Sequence, residues 1–290
     1  MLDLTPVGWP NGLPTGETWY NKSMNFSVLS YNTLFNSAVE GLPGILKKYS
    51  PDIICLQETL TEEQNIKRIE NYGYKLADTA NSFVRFGKIF GVATFYNQKA
   101  IKFIEASTLD LNTNIAEYFF YLFRVIWGYN QPKTILKADF YHRKARKNFS
   151  ICNLHLYVIG SNELRINHLN QALKSINFKK NRSLIVCGDF NYFPYRRKKL
   201  EKTMQKHHLI EATKNIRQTI NMTGDGIIEK FTRFQRFLIP FFNKFLVKRV
   251  KTDYVFYRGL KLIKTERLED HHSDHYPILS SYSFRKPKSF

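Results

Sequence analysis

Short apolar runs, each closed by polar residues, recur along this chain from Phe26 to Phe284. FSVLSYN, DIICLQ, GVATFYN, IKFIEAS, TILKADFY, FSICNLHL, SLIVCGDFN, DYVFYRG and YPILSSYSF have the length and the β-branched and aromatic content of strands. Two intervals carry helical spacing instead. VEGLPGILKKYSP predicts a helix that leads into a strand. SNELRINHLNQALKSINF predicts one that opens at a Ser-x-Glu start and sets Leu164, Leu169, Leu173 and Ile176 close to one face. YHRKARKN, between two strand-like runs, reads as an exposed hairpin tip. Strands dominate and helices do not alternate with them strictly, which favours an α+β sandwich over a doubly wound parallel sheet.

No internal repeat or low-complexity linker breaks the pattern, and 290 residues suffice for one large domain. We therefore expect a single domain over residues 25–290 behind an irregular, Pro- and Gly-rich lead-in of residues 1–24. Two segments fit poorly. Asn112 to Pro132 is crowded with aromatics, and FTRFQRFLIPFFNKFLVK, Phe231 to Lys248, mixes Phe with Arg and Lys. The first reading of both is cover over a core edge. The second is a substrate-facing or membrane-facing surface, because aromatics beside cations suit stacked bases and lipid headgroups alike.

Charge changes the picture only in part. Lys and Arg number 44 against 24 Asp and Glu, a net charge of +20, which favours a polyanionic partner such as nucleic acid or an anionic membrane surface. A lysine-rich solvated surface explains the same number equally well. Cys55, Cys152 and Cys187 each lie inside an apolar run without metal-ligand spacing, so they read as core thiols in a reducing compartment and not as a disulfide framework. The N-terminus lacks a basic start followed by an apolar stretch, so no signal peptide is expected. YFFYLFRVIWGY, Tyr118 to Tyr129, is too short for a membrane span and carries Arg124. The expected location is cytoplasmic, with peripheral membrane association as the alternative, and the expected state is a monomer.

The candidate chemistry sits where apolar runs end. LIVCGDFNYFP drives four apolar residues into Gly188 and then places Asp189 and Asn191 two positions apart, a spacing that puts both side chains on one strand face. Such groups at the mouth of a buried strand are costly to desolvate unless something pairs with them. Asn32, Glu58, His155, Asp253, Asp274 and His275 sit at the ends of other runs. Any one of them has a plain explanation, as a turn residue or a hydrogen-bonded core residue. Their recurrence at strand ends is harder to explain that way.

The ordered set SYN, LQE, NLHL, GDFN, TDYVF and SDH resembles the endonuclease/exonuclease/phosphatase superfamily, over Phe26 to about Phe284. The resemblance implies the deoxyribonuclease-I-like fold, a four-layer α/β/β/α sandwich. It also implies a divalent-metal-dependent phosphodiester hydrolase that attacks phosphorus with an activated water. Glu58 would be the main ligand of Mg²⁺, with Mn²⁺ as its substitute, Asn32 would sit beside it and Asp274 would ligate the same or a second metal. Asp189 would aim the attacking water and take its proton. Asn191 would donate its amide to the phosphoryl oxygens or to that water. His155 and His275 would bracket the phosphate, and Asp253 would hold the His275 ring in one tautomer. No covalent nucleophile is visible.

Within the superfamily, NLHL followed by an Arg-bearing helix (Arg165) is similar to deadenylase-type nucleases, tyrosyl-DNA phosphodiesterases and neutral sphingomyelinases. CGDFNYFP and SYNTL resemble the nuclease side, and GVATFYN and KTILKADF the sphingomyelinase side. The inositol-phosphatase members stay open as well, though no feature selects them. The readings are, in order, a nuclease or nucleotide phosphodiesterase, a phospholipid phosphodiesterase acting at an anionic or zwitterionic membrane surface, and an inactive binding protein on the same fold.

Overall fold

Side-chain alternation along the strands decides which layer each residue joins. The computed structural model of the protein describes residues 24–109, 111, 134–158, 160–176, 182–193, 195–220 and 250–285. Nearly all of the N-terminal lead-in and both aromatic segments lie outside the described residues. In chain order the described elements are β1 (Asn25–Asn32), α1 (Leu42–Tyr49), β2 (Ile53–Leu60), α2 (Glu63–Glu70), β3 (Lys75–Arg85), β4 (Lys88–Tyr96) and β5 (Ile101–Thr108). There follow β6 (Thr134–His142), β7 (Lys147–His155), α3 (Asn162–Ser175), β8 (Ser183–Asp189), α4 (Arg197–Lys206), β9 (Ile210–Glu211), β10 (Asp253–Arg258), β11 (Leu260–Arg267) and β12 (Ile278–Phe284).

The strands form two six-stranded sheets, ordered β11-β12-β1-β2-β4-β3 and β5-β6-β7-β8-β10-β9. Each has one parallel pair at its centre, β1 with β2 and β7 with β8. Phe26, Val28, Ile53 and Cys55 of the first sheet pack against Phe140, Phe149, Ile151, Ile185 and Cys187 of the second. The opposite face of the first sheet, Leu29, Ile54, Leu56 and Phe95, receives Leu42, Ile45 and Leu46 of α1 and Ile66 and Ile69 of α2. The outer face of the second sheet, Cys152, Leu154, Leu184 and Val186, receives Ile166, Leu169 and Ala172 of α3 and Leu200 and Met204 of α4. The layers are therefore helix, sheet, sheet, helix, the four-layer α+β sandwich that the sequence implied. Each fully buried Phe, Leu or Ile contributes about 1.5–3 kcal/mol.

Local signals match the elements they mark. Ser161 caps α3, its Oγ accepting the Leu164 N–H at 3.2 Å. Turn residues 143–146 join β6 to β7, at the hairpin tip read from YHRKARKN. All three cysteines are free and buried in the core. Elements without an apolar run escape the sequence reading for a physical reason. β3 and β11 are the two edges of the first sheet and carry mostly polar, partly exposed residues, as edge strands do. Helix α4, RKKLEKTMQK, buries only Leu200, Thr203 and Met204. Among the described residues no helix is long and apolar enough to cross a membrane.

Candidate active site

The carboxyl ends of both central parallel pairs lie at the same end of the sandwich. β1 ends at Asn32, β7 at His155 and β8 at Asp189, while Glu58 lies near the end of β2. In the second sheet the register sets His155, Asp189 and Asp253 side by side on three neighbouring strands. The alternation that sends Ile151, Ile185, Cys187 and Val255 between the sheets carries these three residues to that same inner face. Asn32 approaches from the first sheet, its Nδ2 donating to Asp189 Oδ2 at 3.1 Å and to Glu58 Oε1 at 3.2 Å.

Asp189 is the centre of the cluster. Its Oδ1 accepts the Asn191 backbone N–H at 2.8 Å, and its Oδ2 accepts the Asn191 side-chain amide at 3.0 Å. The Nε2 atoms of His155 and His275 each lie 3.8 Å from Asp189 Oδ2. Asn191 is placed differently from a residue on a continuing strand. β8 ends at Asp189 and Asn191 adopts a left-handed φ of 47°, which folds its side chain back onto Asp189. The Asn191 amide also donates to Leu156 O at 2.9 Å, so its hydrogens are engaged within the protein. Gly188 permits this turn. Its φ is +133°, and a Cβ there would lie 2.0 Å from Leu154 O.

His275 Nδ1 meets Asp253 Oδ2 at 2.8 Å, and the same oxygen accepts the Thr252 hydroxyl at 3.0 Å. Burial alone pushes the His275 imidazole down, but the carboxylates of Asp253, Asp274 and Asp189 outweigh it and hold the ring well above the usual histidine range. Burial pushes His155 down, and burial pushes Asp189 and Asp274 up. The two imidazoles thus differ in charge preference because three carboxylates outweigh burial at His275, whereas burial outweighs the Asp189 carboxylate at His155.

Glu58 reaches the site through a backbone irregularity. Ile54 and Leu56 face the helices, so strict alternation would send Glu58 there too. The β2–β4 register slips between Leu56 and Thr59, and Glu58 itself takes a left-handed φ of 52°, which swings its side chain toward Asn32. A left-handed non-glycine residue costs about 1–2 kcal/mol, so the bulge needs support. Asn36 supplies it. Its N–H donates to Glu58 O at 2.9 Å, and its Oδ1 accepts Thr59 Oγ1 at 2.9 Å and the Leu60 N–H at 3.2 Å. Asn65 accepts the Asn36 amide in turn at 2.9 Å.

The donor set suits a hard cation. Among the described residues Glu58 Oε2 is buried without a hydrogen-bond partner, as is His155 Nε2, which lies 3.5 Å from Glu58 Oε1. Burial, then repulsion from Asp274, pushes the Glu58 carboxyl up to about 7. A divalent ion would relieve both costs. Asp189, Asp253 and His275 form a second group whose ligand atoms lie within 4.8 Å of one another. The Asp253 and His275 atoms of that group already pair with each other, and Asp189 accepts three N–H groups. Glu58 therefore offers a carboxylate oxygen that no described residue engages.

Several supporting residues carried no role in the sequence reading. Ser273 Oγ donates to Asn32 O at 2.7 Å and accepts the His275 N–H at 3.1 Å, tying the SDH turn to the end of β1. Thr219 Oγ1 accepts the N–H groups of Thr252 and Asp253 at 3.0 and 3.2 Å. Asn153 joins the sheets beneath the site, accepting Gln57 Nε2 at 2.7 Å and donating to Leu56 O at 3.1 Å. A polar residue on the inner face of an apolar strand, as in CLQE and CNLHL, is the signal that marks Gln57 and Asn153.

Residues 29–275 match the model of the Endonuclease/Exonuclease/phosphatase family. No curated protein matches the chain by sequence. The fold is similar to that of the human Nocturnin catalytic domain with bound sulfate anion, at TM-score 0.65 and 18% identity over 90% of this chain and 94% of that one. It is also similar to Bacteroides thetaiotaomicron mannosyl-6-phosphatase, at TM-score 0.61 and 16% identity over 89% of this chain and 100% of that one. D. rerio TDP2 complexed with single-strand DNA product aligns at TM-score 0.60 and 14% identity, over 89% of this chain and 99% of that one.

Proposed function

The chain belongs to the endonuclease/exonuclease/phosphatase family and is a hydrolase of phosphoric ester bonds, and on that premise we propose that it cleaves phosphodiester bonds in nucleic acid. The reading as an inactive binding protein is set aside accordingly. The observation that carries the proposal is the Asp189 carboxylate, buried, held by three N–H donors within 3.1 Å and flanked at 3.8 Å by two imidazole Nε2 atoms. Such a carboxylate can orient a water for in-line attack on a phosphate lying between the histidines.

In this reading Asp189 takes the proton of the water as its oxygen bonds to phosphorus, while Asn191 and Asn32 fix the carboxylate. His155 and His275 hydrogen-bond the phosphate oxygens. Asp253 keeps the His275 proton on Nδ1 and aims Nε2 at the cleft, where it supplies a proton to the leaving oxygen as its bond to phosphorus breaks. A divalent cation held by Glu58, with Asn32 and Asp274 alongside, would neutralise charge on the phosphate. Mg²⁺ is our assignment and Mn²⁺ the substitute. Nucleic acid is favoured by the net charge of +20. The similarity in fold to a protein crystallised with a single-strand DNA product is consistent with it.

One observation favours phospholipid instead. The β3–β4 hairpin tip exposes Val84 at 60%, Phe86 at 70% and Ile89 at 43%, beside Arg85 and Lys88. Phe83, on the same hairpin, packs its ring 6.3 Å from that of His155. Turnover should be compared on single-stranded RNA, duplex DNA with and without lesions, and sphingomyelin vesicles, with Mg²⁺ and with EDTA. The proposal expects metal-dependent cleavage of a nucleic acid, with affinity that falls steeply as salt rises. Turnover confined to vesicles would replace it with the phospholipid reading.

A further inference from the structure

Two residues beyond Asn191, the chain presents a pair of aromatic rings that the chemistry above does not use. Phe193 is 36% exposed and Tyr195 is 55% exposed. Their planes are within 7° of parallel and their centroids are 6.4 Å apart. Exposed rings ordinarily lose their order, but the backbones of Phe193 and Tyr195 are held. Asn162, at the start of α3 and 1% exposed, accepts the Phe193 N–H at 3.2 Å and donates to Phe193 O at 3.0 Å and Tyr195 O at 2.8 Å. Arg165, fully buried, lies with its guanidinium 5.1 Å from the Phe193 ring centroid. It donates to Tyr157 O, Val158 O and Gly160 O, so it also holds these three residues beyond His155.

We infer that Phe193 and Tyr195 are a stacking platform for bases of a single-stranded nucleic acid, next to the phosphate that is cleaved. Aromatic faces stack on any base, and rings ordered before binding cost little entropy to use. The α-carbon of Phe193 lies at most about 7 Å from that of Asn191, so the platform begins within a nucleotide's reach of the site. The separation of the two ring planes is at most 6.4 Å. A base inserted between them would need about 7 Å, twice an ordinary carbon contact, so the pair is a surface to stack upon and not a slot. Arg196 and Lys198, exposed immediately afterwards, suit the backbone phosphates of the same strand.

The inference rests on the nucleic-acid reading, and its test separates the two. Wild type, Phe193→Ala, Tyr195→Ala and Tyr195→Trp are compared on a labelled single strand of about twelve nucleotides, and on the same strand with an abasic nucleotide placed at each position in turn. In wild type, an abasic nucleotide at one or two positions beside the cut should raise KM about tenfold or more. Each alanine variant should raise KM on the complete strand by a similar factor and lose the abasic penalty at one position, and tryptophan should restore both. A merely structural loop would slow every substrate alike and keep the penalty. That result would overturn the platform while leaving the nuclease assignment standing, as would an abasic scan of wild type with no position-dependent effect. A wild type that hydrolyses a bis-aryl phosphodiester but no oligonucleotide overturns the nucleic-acid reading itself. Binding to phosphatidylserine vesicles that both alanine variants abolish, with unchanged KM on the strand, would reassign the rings to a lipid surface.

Discussion

His275 Nδ1 and Asp253 Oδ2 lie 2.8 Å apart, both buried, with Asp253 at the start of β10 and His275 three residues ahead of β12, strands that belong to different sheets. The pair acts as one unit if the carboxylate's task is to orient and charge the ring. Asp253→Asn should lower kcat by about 10–100-fold, and His275→Ala by more. The double variant should be no slower than His275→Ala alone. Fully additive losses would assign Asp253 to folding.

Glu58 carries a buried carboxylate oxygen without a partner among the described residues, and its charge is what a cation needs. Glu58→Gln keeps the shape and removes the charge, so turnover at ordinary Mg²⁺ should fall by at least about 100-fold. Raising Mg²⁺ should restore part of it. EDTA should abolish wild-type activity while leaving the circular dichroism spectrum intact, because the two sheets hold together through apolar contacts. Near wild-type turnover in Glu58→Gln would sink the assignment.

Gly188 combines a φ of +133° with a site where a Cβ would lie 2.0 Å from Leu154 O. Both the backbone strain and the contact with β7 oppose any side chain. Gly188→Ala should therefore lower stability by more than about 2 kcal/mol and disturb the turn that presents Asp189 and Asn191. Urea denaturation monitored by fluorescence measures it, and an unchanged midpoint would contradict this account of the turn.

Asp139 is fully buried far from this chemistry, accepting Ser150 Oγ at 2.5 Å, Lys137 Nζ at 2.8 Å and Arg182 Nη2 at 3.0 Å. Burial pushes its carboxyl up, but those hydrogen bonds and cations outweigh burial and hold it below the usual range. A depressed folded-state value means that the ion pair's stabilisation is present above the ordinary carboxylate range and is lost as pH falls through the folded value. Asp139→Asn should cost about 1–3 kcal/mol at pH 7, less than a fully buried pair because Arg182 is one-third exposed. The difference from wild type should shrink below about pH 4. A difference that stays constant from pH 7 to pH 3 would mean that packing, not charge, is what Asp139 contributes.

Sequence alone determined the central strands, because a strand buried on both faces needs a nearly continuous apolar run, as in SLIVCGD and DIICLQ. It also located the polar residues at their ends, since Asn32, His155 and Asp189 each interrupt such a run at its carboxyl end. Ser161 made the start of α3 legible by local chemistry. Tertiary structure decided what local pattern cannot encode. β3 and β11 are strands because a neighbour offers them a ladder, not because their own residues demand burial. Glu58 faces Asn32 only because a bulge, braced by Asn36, reverses the alternation that its own strand dictates. Asn32 and Asp189 touch across 157 residues because the inner faces of two sheets pack together and bring their strand ends to one edge. Hydrophobic burial is proportional to area and indifferent to sequence distance, so it can assemble a polar site from segments that nothing local connects.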